Sequence, residues 1–216
     1  MASEFASPDF SRKLHVSFRN WPAGQILFRV HPATFSPTGF NPSTHGNARF
    51  SPISNHSGMI VPTLYAGSTL DCALMETVFH DVPFVPGLKT LSKATHVAGR
   101  VYSTLLPTRE LILLDLTAIA LRKLGTPRSE LIDTPASHYP ATRQWAVALH
   151  RQNPEAEGLI WTSRQDDASL AVMLFGDRIQ GSVLEPLNGP KSLLESDSGA
   201  CSEVLHLAGR LGVYLV

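Results

Sequence analysis

Thr63-Leu-Tyr-Ala-Gly-Ser-Thr-Leu-Asp-Cys-Ala-Leu-Met-Glu-Thr-Val-Phe79 reads as a short strand that turns into a helix. Thr63-Leu-Tyr is apolar and β-prone, and Gly67 breaks the strand. Ser68 with Asp71 three residues later has the spacing of a capping box that starts a helix. Leu70, Ala73, Leu74, Thr77 and Val78 then recur at three- and four-residue spacing, which predicts one apolar stripe. Glu76 borders that stripe and is the carboxylate of the segment closest to an apolar surface.

Working outward, Gln25–Val30 reads as a strand ended by His31-Pro32, because proline removes a ladder donor. Residues 32–62 hold five prolines and three glycines, so a long irregular loop is expected, with one short ordered piece at Ala48-Arg49-Phe50. Downstream, 96–105 and 111–116 are β-like runs separated by Pro107-Thr-Arg-Glu, which predicts a hairpin. A short helix over 117–124 stops at Gly125, and a longer one over 140–152 carries proline in its first turn. Residues 158–162 and 170–175 are again strand-like and bracket the polar turn that begins at Ser163. The final apolar run, 211–216, is placed to close a sheet. The pattern is a mixed α/β (α+β) single domain with central sheets and flanking helices, read as an arm over residues 1–20 followed by one domain over 21–216.

Composition narrows the function. In 216 residues, 43% are hydrophobic and 17% charged, enough for one sizeable core. Eighteen basic and eighteen acidic residues balance, so no broad field favours nucleic acid or an anionic membrane, and any anion site must be local. Cys72 and Cys201 form no C-x-x-C motif, which argues against a structural zinc and suits a reducing cytoplasm. No apolar run reaches membrane-helix length and the first residues lack a signal pattern, so a cytoplasmic protein is expected.

Several residues have chemistry suited to a ligand. Arg29 and Arg49 sit beside apolar residues on ordered backbone, where a guanidinium fork suits a phosphate or carboxylate, or else pairs with a structural carboxylate. Tyr65 can stack on a flat heterocycle or pack in the core. Glu76 is either a solvated helix residue or a partly buried carboxylate. Ser163, just past a strand, orients a ligand or satisfies its turn. Gly-x-Ser-x-Gly, Gly-x-x-x-x-Gly-Lys and Gly-x-Gly-x-x-Gly motifs are all absent. The nine histidines show no helical metal-ligand spacing, so no metal site is expected. His80, one turn beyond Glu76, is the one histidine worth testing.

Leu27-Phe-Arg-Val, Asn47-Ala-Arg-Phe-Ser-Pro, Thr63-Leu-Tyr-Ala-Gly, Ala73-Leu-Met-Glu-Thr, Gly158-Leu-Ile-Trp-Thr-Ser-Arg and Leu174-Phe-Gly-Asp, in that order, resemble the RES domain, named for its Arg, Glu and Ser. The resemblance spans roughly residues 25–180. It implies a fold similar to the ADP-ribosyltransferase toxins and an NAD-consuming toxin of a bacterial toxin–antitoxin pair. Such an enzyme cleaves the nicotinamide–ribose bond and passes ADP-ribose to water or phosphate, with NAD as substrate and no further cofactor. Transfer to a protein target is the alternative within enzymes, and a non-enzymatic partner-binding domain the alternative outside them. On the matching positions, the resemblance implies Glu76, Arg29 and Ser163 as catalytic residues and Arg29, Arg49, Tyr65 and Ser163 as NAD-binding ones. The implied partner is a helix-turn-helix (Xre-type) antitoxin, with homo-oligomers possible and neither nucleic acid nor membrane bound directly. One departure is Val30, where some members carry a tyrosine.

Overall fold

The computed structural model describes residues 11–216. In chain order the strands are β1 (Phe18–Trp21), β2 (Leu27–Pro32), β3 (Ile53–Ser54), β4 (Ile60–Val61), β5 (Thr63–Gly67), β6 (Lys89–Leu91), β7 (Arg100–Pro107), β8 (Leu111–Asp115), β9 (Gly158–Thr162), β10 (Leu170–Phe175), β11 (Leu184–Pro186), β12 (Lys191–Ser192) and β13 (Val213–Leu215). The helices are α1 (Leu70–Met75), α2 (Lys93–His96), α3 (Ala118–Leu124), α4 (Arg128–Leu131), α5 (Tyr139–Gln152) and α6 (Ala200–Arg210). One large sheet runs β1-β8-β9-β10-β5-β2-β7-β11, with β12 also on β7. Within it β8 and β9 are parallel and the other pairs antiparallel. The fold is the expected mixed α+β.

The apolar runs explain the centre of this sheet. β9 and β10 are buried along nearly their whole length, as near-continuous hydrophobic strands must be. On one face Trp161, Ala171 and Met173 pack with Trp145, Ala146 and Leu149 of α5. On the other, Ile160, Val172 and Leu174 pack with Leu27, Leu64 and Ile179. Each such fully buried side chain contributes about 1.5–3 kcal/mol relative to exposure.

The sheet is split beside the opening segment. β2 and β5 are registered at a single position, Phe28 opposite Gly67, whereas β2 and β7 are registered from Leu27 to Pro32. Beyond Phe28 the two strands part, and the loop after β2 crosses the gap to pair Asn41 with Thr63. Gly67 is where β5 gives way to α1, and here the helix comes very close. A Cβ on Gly67 would lie 3.0 Å from the Ala73 nitrogen and from the Cys72 sulfur, so a side chain here would push the start of α1 away from β5.

Several expectations are corrected. α1 is capped by Thr69, whose hydroxyl accepts from the Cys72 N–H at 3.0 Å, while Ser68 uses its hydroxyl to accept from Leu170 N–H on β10. The helix stops at Met75, so Glu76 is its C-cap rather than an interior residue. The predicted hairpin of β7 and β8 is absent. β7 pairs with β2, β11 and β12, and β8 with β1 and β9. The link between β7 and β8 is instead drawn outward, with Thr108 N–H bonded to Val183 and the Arg109 guanidinium paired with Glu157. Ala48-Arg49-Phe50 is irregular loop, and the strand expected to end before His31 continues through Pro32.

Other expectations hold. α3 ends at Gly125, whose φ of 83° is the left-handed cap conformation. The C-terminal run pairs in parallel with β6 in a separate two-stranded sheet. Of the residues read as an arm, 18–20 lie in β1 at the edge of the large sheet rather than outside the domain, and residues 1–10 lie outside those described.

Candidate active site

The split between β2 and β5 opens into a cavity of about 480 Å³, within the usual range for small-molecule sites. Its walls include Arg29, His31, Arg49, Tyr65, Glu76, Arg100, Tyr139 and Trp161. Of the six residues singled out from the sequence, Arg29, Arg49, Tyr65, Glu76 and His80 therefore meet here, and the sixth, Ser163, stands directly behind Glu76.

Glu76 owes its position to the early end of α1. As C-cap its backbone N–H is bonded to Cys72 and its side chain turns towards β9. There the Ser163 hydroxyl donates to Glu76 Oε1 at 2.6 Å. The direction of that bond is set by the turn after β9. Ser163 Oγ accepts from the backbone N–H of Gln165 and of Asp166, both at 3.0 Å, which leaves its one hydrogen for the carboxylate. Ser163 is fully buried, at 0% exposure, so it reaches the cavity only through Glu76. Ser163→Ala is expected to leave two N–H groups and one carboxylate oxygen without this partner. The cost is about 1–3 kcal/mol of stability and about ten- to a hundredfold of turnover through a misplaced Glu76. Thermal melting together with steady-state kinetics checks both, and unchanged kinetics would show that Glu76 holds its place without Ser163.

The arginines differ from one another. Arg29 is 5% exposed. Its Nη1 donates to the Ser36 and Pro37 carbonyls, at 3.3 and 2.5 Å, and its Nη2 to Gly39 at 2.7 Å. It thus ties β2 to the loop that crosses the split. Burial pulls its pKa down to about 10, so it stays charged at neutral pH. Arg49, 6% exposed, donates from Nη1 to the carbonyl and hydroxyl of Thr134 and lies 5.0 Å over the Tyr139 ring. Its Nε and Nη2 make no protein hydrogen bond among the described residues. Burial lowers its pKa most, partly offset by Tyr139 and Glu76. Among the described residues neither arginine has an ion-pair partner.

Tyr65 is anchored at its hydroxyl, which accepts from Phe50 N–H and donates to Ser51 Oγ at 3.2 Å. Burial pushes its pKa up to about 12, so it remains a neutral phenol. Its ring meets Trp161 edge-on, with centroids 6.4 Å apart, so two aromatic residues wall the cavity beside Arg49. Tyr65 also holds the loop from which Arg49 reaches out.

A family model, the RES domain, matches residues 26–191. The chain belongs to the RES domain family. RES domains are associated with NAD-directed toxins of toxin–antitoxin pairs. The RES match runs from β2 to the start of β12 and so contains every wall of the cavity described above. No curated protein matches the chain. Among the described residues no helix is long and apolar enough to cross a membrane, and no cluster of three His, Cys, Asp or Glu side chains is placed to hold a metal ion.

Sequence reading missed His31, Arg100, Tyr139 and Trp161 as walls of the RES site. His31 Nδ1 lies 3.0 Å from its neighbour's carbonyl, so it carries the proton, and Nε2 then accepts from Ser103 at 2.9 Å. Burial, reinforced by Arg29, lowers its pKa and favours this neutral ring. Alternation along β2 was the available signal, since His31 stands two residues from Arg29 and shares its face. Tyr139, opening α5 before a proline, had no such signal.

Proposed function

We propose that this protein cleaves the nicotinamide–ribose bond of NAD and passes ADP-ribose to water or phosphate. The observation that carries the reading is a carboxylate, Glu76, held by a buried serine in a cavity whose walls also include buried guanidinium groups and aromatic rings. The nicotinamide of NAD leaves as a neutral molecule, so its departure needs no strong acid. Positive charge instead develops on the ribose, at C1′ and the ring oxygen. Glu76 opposes that charge, and the fixed Ser163 bond keeps its carboxylate from reorganising during the reaction. Arg49 receives the diphosphate with the guanidinium edge that the protein leaves open. Tyr65 and Trp161 exclude water around the nicotinamide end. The incoming water forms the new bond to C1′ and releases one proton to solvent as nicotinamide departs. With phosphate, the product is the 1″-phosphate.

Membership of the RES family also supports a helix-turn-helix antitoxin as the partner that restrains this activity. The test is incubation of the purified protein with NAD, read by chromatography. Nicotinamide should appear in equal amount with ADP-ribose or its 1″-phosphate. Label retained on a protein band would favour transfer to a protein, and the absence of released nicotinamide would overturn the reading.

A further inference from the structure

The cavity has three arginines in its walls, Arg29, Arg49 and Arg100, and they are not equally available to a ligand. Arg29 has both terminal nitrogens on the carbonyls of Ser36, Pro37 and Gly39. Only Nε–H and one Nη2 hydrogen stay outside these bonds, so a ligand cannot take the two-nitrogen Nη1/Nη2 fork without displacing the loop that closes the split. Arg100 is the opposite case. It is half-buried, and among the described residues its side chain makes no hydrogen bond or ion pair.

We propose that Arg100, rather than Arg29, is the second cation that receives the ligand's diphosphate, acting together with Arg49. This rests on the dinucleotide reading above. Three further observations carry it. The root of Arg100 is fixed. It stands opposite Pro32 at the start of β7, its N–H is bonded to Val97, its carbonyl accepts from Leu193, and Ala33 N–H is bonded to the preceding Gly99. The side chain is therefore delivered to the cavity by rigid backbone while its guanidinium keeps all five N–H donors.

The face is also the right one. Residues opposite one another in antiparallel strands share a face, so Arg100 lies with Pro32 and, two residues back, Val30. Val30 packs with Ala73 and Leu74 of α1, the helix that ends at Glu76. Arg29 and His31 project from the other face of β2. Charge is the third point. Glu76 and Asp81 both line the cavity, so a diphosphate entering it meets two carboxylates. Arg29 adds positive charge but spends its fork on the loop carbonyls, so Arg49 alone would offer the diphosphate an open guanidinium edge. Arg100 supplies a second, with the planar geometry that suits two phosphate oxygens.

The test is titration of the purified full chain and of Arg100→Ala with ADP-ribose, adenosine and inorganic pyrophosphate, followed by calorimetry. Loss of a charge-assisted contact is expected to weaken ADP-ribose and pyrophosphate about tenfold or more, with adenosine unchanged, since it carries no phosphate. Arg100→Lys, which keeps the charge and loses the fork, should fall between. Equal affinity of wild type and Arg100→Ala for ADP-ribose and pyrophosphate would overturn the proposal, as would an equal loss for adenosine, which marks a structural role. Pyrophosphate separates this inference from the reading it rests on. If wild type binds pyrophosphate but ignores ADP-ribose, and Arg100→Ala loses the pyrophosphate, the anion site stands and the dinucleotide reading fails. If wild type binds neither, both fail.

Discussion

Glu76→Gln is expected to reduce NAD turnover by about 10²–10³-fold while leaving ADP-ribose affinity near that of wild type. The substitution isolates charge from shape. A glutamine side chain at position 76 still offers an oxygen to the Ser163 hydroxyl, so the 2.6 Å bond and the local packing persist. What disappears is the negative charge that, in the proposed mechanism, faces the developing cation on the ribose. Because that charge develops only as nicotinamide departs, the loss falls on the chemical step rather than on ground-state binding. Single-turnover kinetics with parallel titration of ADP-ribose measures the two separately. Parent-rate turnover by Glu76→Gln would remove this carboxylate from the mechanism. A matching loss of affinity would make Glu76 a binding residue.

Arg29→Ala is expected to have the largest effect on stability. The arginine is a brace across the split sheet, and its removal leaves the carbonyls of Ser36, Pro37 and Gly39 without their charged donor. Ser36 is exposed and Pro37 and Gly39 are half-buried, so at roughly 1 kcal/mol net for each lost hydrogen bond the loss is about 3 kcal/mol. For a chain of this size that lowers the thermal midpoint by roughly 6–12 °C. Arg29→Lys keeps the charge, but one ammonium cannot reproduce a fork that spans three carbonyls, so it should recover only part of the loss. Thermal melting of the three proteins decides the matter. An unchanged midpoint in Arg29→Ala would show that the loop after β2 holds itself in place.

The reading of particular elements shows where local sequence suffices. β9 and β10 were legible because Gly158–Thr162 and Leu170–Phe175 are apolar runs bounded by turn residues, and a buried central strand needs little else. α3 was legible because Gly125 can take the left-handed conformation that ends a helix. α1 was legible in kind but not in extent. Its apolar stripe continues through Val78, yet the helix ends at Met75, and the Glu76 carboxylate at its C-cap meets a buried donor, Ser163, 87 residues along the chain. The hairpin expected between β7 and β8 failed. A short link permits pairing, but β2 pairs with β7 at six successive positions and leaves β8 to β1 and β9.

For the site, the residue types of Arg29, Arg49, Tyr65, Glu76 and Ser163 pointed to anion binding, aromatic contact and a carboxylate, and their motif order to the RES family. That much is carried by local chemistry and spacing. Which arginine spends its fork on backbone carbonyls and which keeps donors free was legible only in three dimensions, from the carbonyls of residues 36, 37 and 39 lying within reach of Arg29. The sequence determined the central strands, the Gly125 cap and the chemical groups available, since these depend on neighbours a few residues away. The tertiary structure decided their partners, because a hydrogen bond or a cavity wall depends on distance in space, and the split sheet brings together residues from β2, β5, the end of α1, β7 and the start of α5.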